Sequence, residues 1–221
     1  MKVIIFGASG MVGQGVLREC VRDERVESVL LVSRAPGGGH HAKVREIVHD
    51  DFTDFTSLAD EFAGLDACFF CLGVSSAGRS EEEYRRITYD CTLAAARALA
   101  PGNPALTFVY VSGEGTDSTG QGRSAWARVK GRTENELLAM DFHAYMFRPG
   151  YIRPRHGATS RTRLYRLMYA LTAWLYPVLR RLAPGHVTTT EHIGRAMLAV
   201  VGLRGAGPHI LHSREINQLA A

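Results

Sequence analysis

The sequence predicts an α/β fold, with a doubly wound parallel sheet covered on both faces and a small C-terminal helical cap. Apolar runs without alternation, such as residues 3–6, recur along the chain and suit strands buried on both faces. Segments with apolar residues at helical spacing separate these runs. The 221 residues, 46% of them hydrophobic, suffice for one domain with its own core. We therefore predict a single domain over residues 1–221, with residues 151–190 as a substrate-side cap.

Three glycines at a spacing of three follow the first predicted strand. Gly7 allows a sharp turn, Gly10 lets backbone N–H groups approach a pyrophosphate, and Gly13 lets the next helix pack close to the strand. The N-terminus of that helix offers unpaired N–H groups and the positive end of its dipole to phosphates. The order of strand, glycine turn and helix predicts a dinucleotide site, with an ordinary tight turn as the alternative.

The segment G-A-S-G-M-V-G at residues 7–13 resembles the G-x-x-G-x-x-G loop of the atypical short-chain dehydrogenase/reductases. The resemblance is to the NmrA-like, TIP30-like and epimerase-dehydratase types in particular. It implies a Rossmann fold that binds NAD(P). The loop residues that it assigns to the cofactor are Gly7, Ser9, Gly10, Met11, Val12 and Gly13.

The end of the second predicted strand, residues 28–33, bears on the choice of cofactor. An Asp or Glu there would bind the ribose 2′-hydroxyl of NAD, whereas an Arg accommodates the 2′-phosphate of NADP. Arg34 follows this strand directly, and no acid does. We therefore predict NADP(H) rather than NAD(H), with Lys43 or Arg45 as a candidate second cation.

Two further strands precede positions that the resemblance assigns to the adenosine half of the cofactor. After the third strand, at residues 44–48, the Asp51 carboxylate would accept from the adenine amino group beside Phe52. A turn or helix-cap acid is the alternative for Asp51. The fourth strand, at residues 66–72, ends at Leu72 and Gly73, which would pass alongside the adenine and ribose.

A long helix and a fifth strand come next. Ser80 and Glu83 match a capping box for a helix that runs to about residue 100. Its apolar face suits either packing on the sheet or a homodimer interface. The fifth strand, at residues 105–112, ends at Ser112, and ligands of open parallel sheets bind at the C-terminal ends of the strands. By resemblance, Ser112 orients a substrate carbonyl.

The resemblance breaks at the catalytic pair. Short-chain reductases carry Y-x-x-x-K on the next helix, where the Tyr transfers the substrate proton and the Lys lowers its pKa and holds the nicotinamide ribose. The sequence here is W-A-R-V-K, so Lys130 is present and Trp126 replaces the tyrosine. An indole N–H cannot exchange a proton in this pH range, and the usual acid is therefore absent.

Three functions remain open from the sequence. The first is an oxidoreductase or epimerase for a small carbonyl or hydroxyl substrate, with Ser112 and Lys130 as catalytic residues. Its proton donor would be Tyr151, His156 or water. The second is a non-catalytic NADP(H)-responsive regulatory or binding protein. The third is a different chemistry on the same cofactor platform, because a fold does not fix a function.

The C-terminal third of the sequence is basic. By resemblance, the backbone of Pro149 and Gly150 packs near the nicotinamide. Residues 164–182 predict an apolar, aromatic helix pair that suits core or lid packing, a dimer face or an interfacial helix. Residues 142–190 hold eight arginines and no acid, which favours an anionic substrate or surface, with a solvated basic face as an equal alternative. These arginines are Arg148, Arg153, Arg155, Arg161, Arg163, Arg166, Arg180 and Arg181.

The remaining composition argues against several other classes of protein. Cys68 and Cys71 form a C-x-x-C within a predicted strand, where they point to opposite faces, so buried free thiols are favoured over a redox or metal site. We predict no metal, no nucleic-acid partner and no membrane contact. The sequence has no apolar run of 18 residues and no signal-peptide pattern, which predicts a cytoplasmic protein.

Overall fold

The computed structural model describes residues 1–37, 41–159, 181 and 183–221. Its strands are β1 (Lys2–Phe6), β2 (Ser28–Ser33), β3 (Val44–Val48), β4 (Ala67–Phe70), β5 (Thr107–Val111), β6 (His143–Arg148), β7 (Tyr151–Arg153), β8 (Val187–Thr189) and β9 (Ile210–His212). Seven of them form one parallel sheet in the order β3-β2-β1-β4-β5-β6-β9, and β7 pairs with β8 in a small second sheet. The predicted doubly wound parallel fold is confirmed.

Helices lie on both faces of the large sheet. Those of the described residues are α1 (Met11–Arg22), α2 (Glu81–Arg85), α3 (Cys91–Leu99), α4 (Ala125–Leu138), α5 (Thr190–Val201) and α6 (Ser213–Leu219). Short 3₁₀ turns occur at Thr56–Leu58, Asp60–Phe62 and Pro184–His186. Within the described part of the chain, no helix is long and apolar enough to cross a bilayer.

The central strand β1 contributes to a core on each face of the sheet. Val3 and Ile5 pack with apolar residues of α1 and α5. Ile4 and Phe6 point to the other face and pack with residues of α3 and α4. All four side chains are fully buried. Burial on both faces is the physical reason that the apolar run in β1 does not alternate.

The strand order reverses direction between β1 and β4, which lie side by side at the centre of the sheet. In open α/β sheets, the crevice at such a reversal, beyond the C-terminal ends of the strands, is where ligands bind. The glycine loop follows β1, and Leu72 and Gly73 follow β4. The topology therefore brings two of the predicted cofactor segments to this crevice.

The long helix predicted after Ser80 contains an irregularity. The capping box is confirmed, because Ser80 Oγ accepts from the Glu83 N–H and Glu83 Oε2 accepts from the Ser80 N–H, both at 3.1 Å. Between α2 and α3 the chain forms a π-helical turn at Arg86–Asp90. This wider turn buries Thr88, a polar residue that an α-helical apolar stripe does not single out.

Other differences concern short elements and the cap. β4 ends at Phe70 rather than Leu72, because the chain then leaves the sheet to pass over Gly7. The β7–β8 sheet was not predicted, since strands of three residues give too little periodic signal. The short helix α6 was not predicted either. The predicted helix pair at residues 164–182 lies outside the described residues, apart from residue 181, so the cap at 151–190 remains a prediction.

Candidate functional site

The glycine loop between β1 and α1 is tightly packed. Gly7 has a φ of +79°, and a Cβ at this position would lie 2.6 Å from the Leu72 backbone nitrogen. A Cβ on Gly13 would lie 2.2 Å from the Gly7 carbonyl oxygen, so only glycine lets α1 approach β1 this closely. A Cβ on Gly10 would meet only that same oxygen within 4 Å, at 3.3 Å, which leaves open space on its other sides.

The N-terminus of α1 has no anionic side chain of its own. Gly10 is the N-cap and makes no side-chain cap, and the first turn contains no acid. The backbone N–H groups of Met11 and Val12 therefore remain available to an external anion. The Ser9 carbonyl accepts from Gln14 Nε2 at 2.9 Å, which fixes the loop from one side. This cradle fits the diphosphate of a dinucleotide, with backbone donors and no side chain in the way.

Leu72 and Gly73 lie beside the cradle, and their contact with the adenine and ribose remains a prediction. The backbone of Leu72 contacts Gly7, and Leu72 itself is half-buried. Gly73 is exposed, and a Cβ there would have no neighbour within 4 Å. The loop after β4 therefore forms one wall of the crevice, with open space next to Gly73.

Two arginines lie near the start of α3. Burial raises the pKa of the Cys91 thiol, while the positive charges of Arg86 and Arg34 act to lower it, so both guanidinium groups are near this thiol. Arg34 is exposed just after β2, as predicted. Within the described ranges, no acid lies within 4 Å of either guanidinium. Arg86 belongs to the π-helical turn, and sequence reasoning missed it.

Lys43 and Arg45, the candidate second cations for the 2′-phosphate, have other partners in the structure. Lys43 Nζ donates to the Asp23 carbonyl at 2.9 Å, just beyond the C-terminal end of α1. Arg45 forms an ion pair with Glu61. Both residues lie beside the beginning of β2 rather than its end, because Arg45 pairs with Leu30 and the Lys43 carbonyl accepts from the Val29 N–H.

An acid does lie beside the end of β2, although none follows that strand in sequence. Glu46 of β3 accepts from Ser33 Oγ at 2.7 Å and from the Gly37 N–H at 2.9 Å. Parallel pairing in which Leu31 opposes Glu46 brings the carboxylate there. Sequence reasoning missed Glu46, because it considered only the residues that follow the strand.

Asp51 and Phe52 are differently placed. Asp51 is exposed, and its Oδ1 accepts from the Thr53 hydroxyl at 2.6 Å and from the Thr53 N–H at 2.9 Å. These hydrogen bonds hold the pKa of Asp51 below its usual value. These contacts match the alternative interpretation, in which Asp51 is a turn acid. The Phe52 ring is buried and packs edge-on against Phe6, with ring centroids 6.2 Å apart, so it belongs to the core.

The predicted catalytic residues meet at the end of β5. Lys130 of α4 donates to the carbonyl of Ser112 and, at 3.4 Å, to that of Val111. Burial lowers the pKa of Lys130 to about 8, and the Glu134 carboxylate opposes this shift. The Ser112 hydroxyl is buried and donates to the Phe147 carbonyl at 3.1 Å. The two residues therefore contact each other through the Ser112 backbone and not through its hydroxyl.

Trp126 lies one helical turn before Lys130, on the same face of α4. Its indole packs on the loop at residues 113–123, since a Cβ on Gly115 would lie 3.5 Å from Trp126 Cη2. The indole therefore covers part of the loop beside Ser112. At this position the helix presents a large ring and no hydroxyl.

The segment after β6 is held tightly. The Pro149 carbonyl accepts from the Glu114 N–H at 2.9 Å, and the Gly150 N–H donates to Ser213 Oγ at 3.0 Å. A Cβ on Gly150 would lie 2.3 Å from the His186 carbonyl oxygen. These contacts join the ends of β5 and β6 to the turn before β8. Contact of Pro149 and Gly150 with a nicotinamide remains a prediction.

The basic segment is only partly available to a ligand. Arg148 is bound to the fully buried Glu134, with its Nε 3.1 Å from both carboxylate oxygens, so this arginine is structural. Arg155 lines a cavity of about 130 Å³ with Arg18 and His156, between α1 and α5. Four of the eight arginines, Arg161, Arg163, Arg166 and Arg180, lie outside the described residues.

His156 and the four cysteines were also considered from the sequence as candidate functional groups. His156 Nε2 lies 2.8 Å from Glu191 Oε2, so this imidazole is attached to the first turn of α5. All four cysteines are free, and Cys68 is buried whereas Cys71 is half-buried. Among the residues that the structure describes, no group of three His, Cys, Asp or Glu side chains could hold a metal ion.

Comparison with known families and proteins points to the same cofactor class. A family model described as the NAD-binding domain of semialdehyde dehydrogenase matches residues 2–91. Over 153 residues, 68% of this chain, the sequence is 28% identical to the mitochondrial protein FMP52 of Debaryomyces hansenii. It is also 28% identical over 155 residues, 68% of this chain, to the protein HTATIP2 of Rattus norvegicus. The matches span 66% and 62% of these relatives' own lengths.

Solved structures share the fold. An oxidoreductase of the short-chain dehydrogenase/reductase family from Burkholderia thailandensis superposes with a TM-score of 0.69 at 18% identity, covering 98% of this chain and 92% of that one. Gre2 of Candida albicans, in complex with NADPH, superposes with a TM-score of 0.72 at 11% identity, covering 96% and 77%. At these identities the likeness establishes the fold.

The relatives also correct one expectation. The FMP52 proteins of Debaryomyces hansenii and Candida glabrata and the fmp52-1 protein of Aspergillus terreus are named as mitochondrial. This contradicts the cytoplasmic location predicted from the sequence. The prediction was wrong because it was based on missing sequence signals, and such an absence does not identify a compartment.

Proposed function

We propose that the chain is a NAD(P)-binding protein of the atypical short-chain dehydrogenase/reductase, NmrA-like type, and that it acts as an NADP-dependent oxidoreductase or epimerase. Its substrate would be a small carbonyl or hydroxyl compound. The observation that supports this function best is the crowded glycine cradle. Positions 7 and 13 have no room for a side chain, and the N-terminus of α1 offers free N–H groups.

The proposed preference for NADP(H) over NAD(H) is based on Arg34 and Arg86. Arg34 directly follows β2, and both Arg34 and Arg86 act electrostatically on the Cys91 thiol, so the two guanidinium groups together would neutralise the 2′-phosphate. Glu46 acts in the opposite direction, since its carboxylate lies beside Ser33 and would repel that phosphate. The preference for NADP(H) therefore depends on whether attraction of the 2′-phosphate by the two arginines exceeds its repulsion by Glu46, whose carboxylate already accepts hydrogen bonds from Ser33 and Gly37.

Calorimetry with NADPH and NADH tests the preference. We expect NADPH to bind at least about tenfold more tightly, a difference of about 1.4 kcal/mol. Arg34→Ala should remove most of this difference, and Glu46→Gln should enlarge it. Arg45→Ala is the matched control, because Arg45 pairs with Glu61. Tighter binding of NADH would contradict the proposed preference, and no heat with either nucleotide would contradict the proposed function.

The residues at the end of β5 would orient the reacting groups. The nicotinamide, when bound, supplies or accepts a hydride. Lys130 is held at the Ser112 carbonyl, where its ammonium group could also donate to the ribose hydroxyls of the cofactor. Ser112 would orient a substrate carbonyl only after its hydroxyl leaves the Phe147 carbonyl.

A second function, a non-catalytic NADP(H)-responsive binding protein, is favoured by Trp126 and by the engaged Ser112 hydroxyl. Trp126→Tyr distinguishes the two functions on a panel of carbonyl substrates with NADPH. An impaired reductase should gain about 10-fold or more in turnover, because a proton donor is restored one turn before Lys130. Trp126→Phe, which restores no hydroxyl, should not gain. Unchanged turnover in Trp126→Tyr, with NADPH still bound, would support the binding protein.

A further inference from the structure

A histidine–carboxylate pair lies beside the site and belongs to neither the family motif nor the sequence-based predictions. His186 Nδ1 is 2.5 Å from Glu114 Oε1. His186 lies in the Pro184–His186 turn, and Glu114 follows β5, so the two residues are 72 positions apart. Their side chains are 66% and 43% exposed, so both are accessible to solvent or to a substrate.

The pair is fixed at the C-terminal ends of β5 and β6. The Glu114 N–H donates to the Pro149 carbonyl at 2.9 Å, and Glu114 is two residues from Ser112. A Cβ on Gly150 would lie 2.4 Å from Glu114 Oε2 and 2.3 Å from the His186 carbonyl oxygen. The glycine at position 150 therefore leaves the space in which the pair is held against the end of β6.

The neighbours of the pair are the groups that the proposed chemistry uses. Ser112 precedes Glu114 by two residues, and the Ser112 carbonyl accepts from Lys130. Gly115, the residue after Glu114, packs against the Trp126 indole. The loop that holds Glu114 is thus in contact with the position where other family members carry their tyrosine.

The hydrogen-bond geometry suits an acid–base group. A carboxylate that accepts from Nδ1–H fixes the imidazole tautomer and orientation, and leaves Nε2 to exchange a proton. Imidazole changes its protonation state between pH 5 and 8, whereas indole does not. His186 therefore has the proton chemistry that Trp126 lacks.

We propose that His186, oriented by Glu114, is the acid–base residue that exchanges the substrate proton in this protein. The proposal rests on the proposed function, since it needs a carbonyl substrate and a bound nicotinamide. In reduction, the carbonyl carbon accepts the hydride and forms a C–H bond, while the electrons of the C=O π bond move to oxygen. The oxygen takes the Nε2 proton of His186, the imidazole becomes neutral, and solvent returns the proton. NADPH is thereby oxidised to NADP⁺, and the carbonyl is reduced to an alcohol.

Nuclear magnetic resonance of the imidazole nitrogens tests the placement without requiring turnover. We expect NADP⁺ to lower the pH midpoint of His186 by roughly 0.5 units or more, because the positively charged nicotinamide ring would lie close to it. Glu114→Gln should reduce the preference for the Nδ1–H tautomer. His156, which also pairs with a glutamate, is the internal control and should move less. A His186 signal that saturating NADP⁺ leaves unmoved would overturn the proposal.

Kinetics of the 221-residue chain provide the second test. His186→Asn should slow single-turnover carbonyl reduction by about 100-fold, leave NADPH affinity within about twofold, and remove the decline in rate as imidazole loses its proton. His156→Asn is the competing variant. The proposal is overturned if His186→Asn keeps the wild-type rate and pH profile, or if His156→Asn alone is slowed. No heat with NADPH in calorimetry would refute the proposed function as well, whereas NADPH binding with a fully active His186→Asn refutes only the role of His186.

Discussion

Gly10 and Gly13 belong to one motif, but their surroundings give them different physical roles. A methyl group on Gly13 would clash with backbone at 2.2 Å, whereas one on Gly10 would meet a single oxygen at 3.3 Å. The structure therefore separates a glycine needed for packing from a glycine needed for ligand approach. The spacing in sequence predicts both roles but cannot show how much room each position has.

We predict that Gly13→Ala lowers the free energy of unfolding by about 1–3 kcal/mol or more, because the backbone must move apart to admit the methyl group. Gly10→Ala should cost less than about 1 kcal/mol in stability. It should nevertheless weaken NADPH binding by roughly tenfold or more, since the methyl group would occupy the space of the diphosphate. Urea unfolding and calorimetry of both variants measure these effects. Equal losses of stability in the two would contradict the assignment.

Lys130 gives stability a dependence on pH. Its pKa is lowered from the ordinary 10.5 to about 8, so between these values the unfolded chain binds a proton that the folded protein has released. The stabilisation is complete above pH 10.5 and is lost as the pH falls through 8. We predict that wild-type stability relative to Lys130→Met rises by about 1–3 kcal/mol across this window.

Denaturant unfolding at several pH values measures this slope, and Lys43→Met serves as the control because it retains Lys130. An identical pH dependence in wild type and Lys130→Met would show that the lysine titrates alike in the folded and unfolded protein.

Lys130 also illustrates how much the sequence could predict about a single residue. Its role was inferred from the W-A-R-V-K segment, but its burial and its bond to the Ser112 carbonyl depend on how α4 packs on β5.

At the scale of elements, α4 and β6 are joined by a buried ion pair. Glu134 is fully buried, and Arg148 binds both of its oxygens and also donates to Ser118 Oγ at 2.5 Å. Because Arg148 is bound in this pair, its guanidinium group is not available to a ligand. It also fixes the helix that holds Lys130 and Trp126 relative to the end of β6.

We predict that Arg148→Met lowers the free energy of unfolding by about 3–5 kcal/mol, because an uncompensated carboxylate remains buried. The double variant Arg148→Met with Glu134→Leu should recover most of this loss, since no charge is then left unpaired. A double-mutant cycle by urea unfolding measures the coupling between them. The exposed pair Arg25 and Asp23 is the control, and Arg25→Met should cost less than about 1 kcal/mol.

Elements with a clear local pattern were predicted correctly, whereas the three-residue strands β7 and β8 were not. Strands β1 and β2 and the capping box of α2 follow from local pattern, because adjacent residues carry the signals for burial on two faces and for a helix cap. The β7–β8 sheet pairs three-residue strands more than thirty positions apart, so its stability comes from non-local pairing. The π-helical turn that carries Arg86 likewise has no local signature.

At the scale of the whole molecule, cofactor binding should stabilise the folded protein by mass action. We predict that NADPH at about 100 times its Kd adds about 2.7 kcal/mol and raises Tm by about 5–10 °C. The shift with NADH at the same concentration should be smaller, and Gly10→Ala should reduce both. Differential scanning calorimetry measures the change. The absence of any shift with either nucleotide would contradict a dinucleotide site.

The homodimer suggested by the apolar face of the helix after Ser80 remains a prediction for the assembly. Much of that face packs on the sheet, since Leu93 and Leu99 of α3 are buried in the core. A dimer formed through this helix would therefore have to use other residues of α2 and α3. Sedimentation velocity measures the oligomeric state directly.

Local sequence pattern was enough to predict the parallel α/β fold, the glycine cradle and a lysine four residues after a tryptophan. These features depend on neighbouring residues, through strand burial, backbone freedom and helical spacing. Packing in three dimensions places Glu46 beside the end of β2, the Ser112 hydroxyl on the Phe147 carbonyl, and His186 on Glu114. Those contacts join residues that are far apart in the chain. They are decided by strand order and packing, which local pattern does not encode.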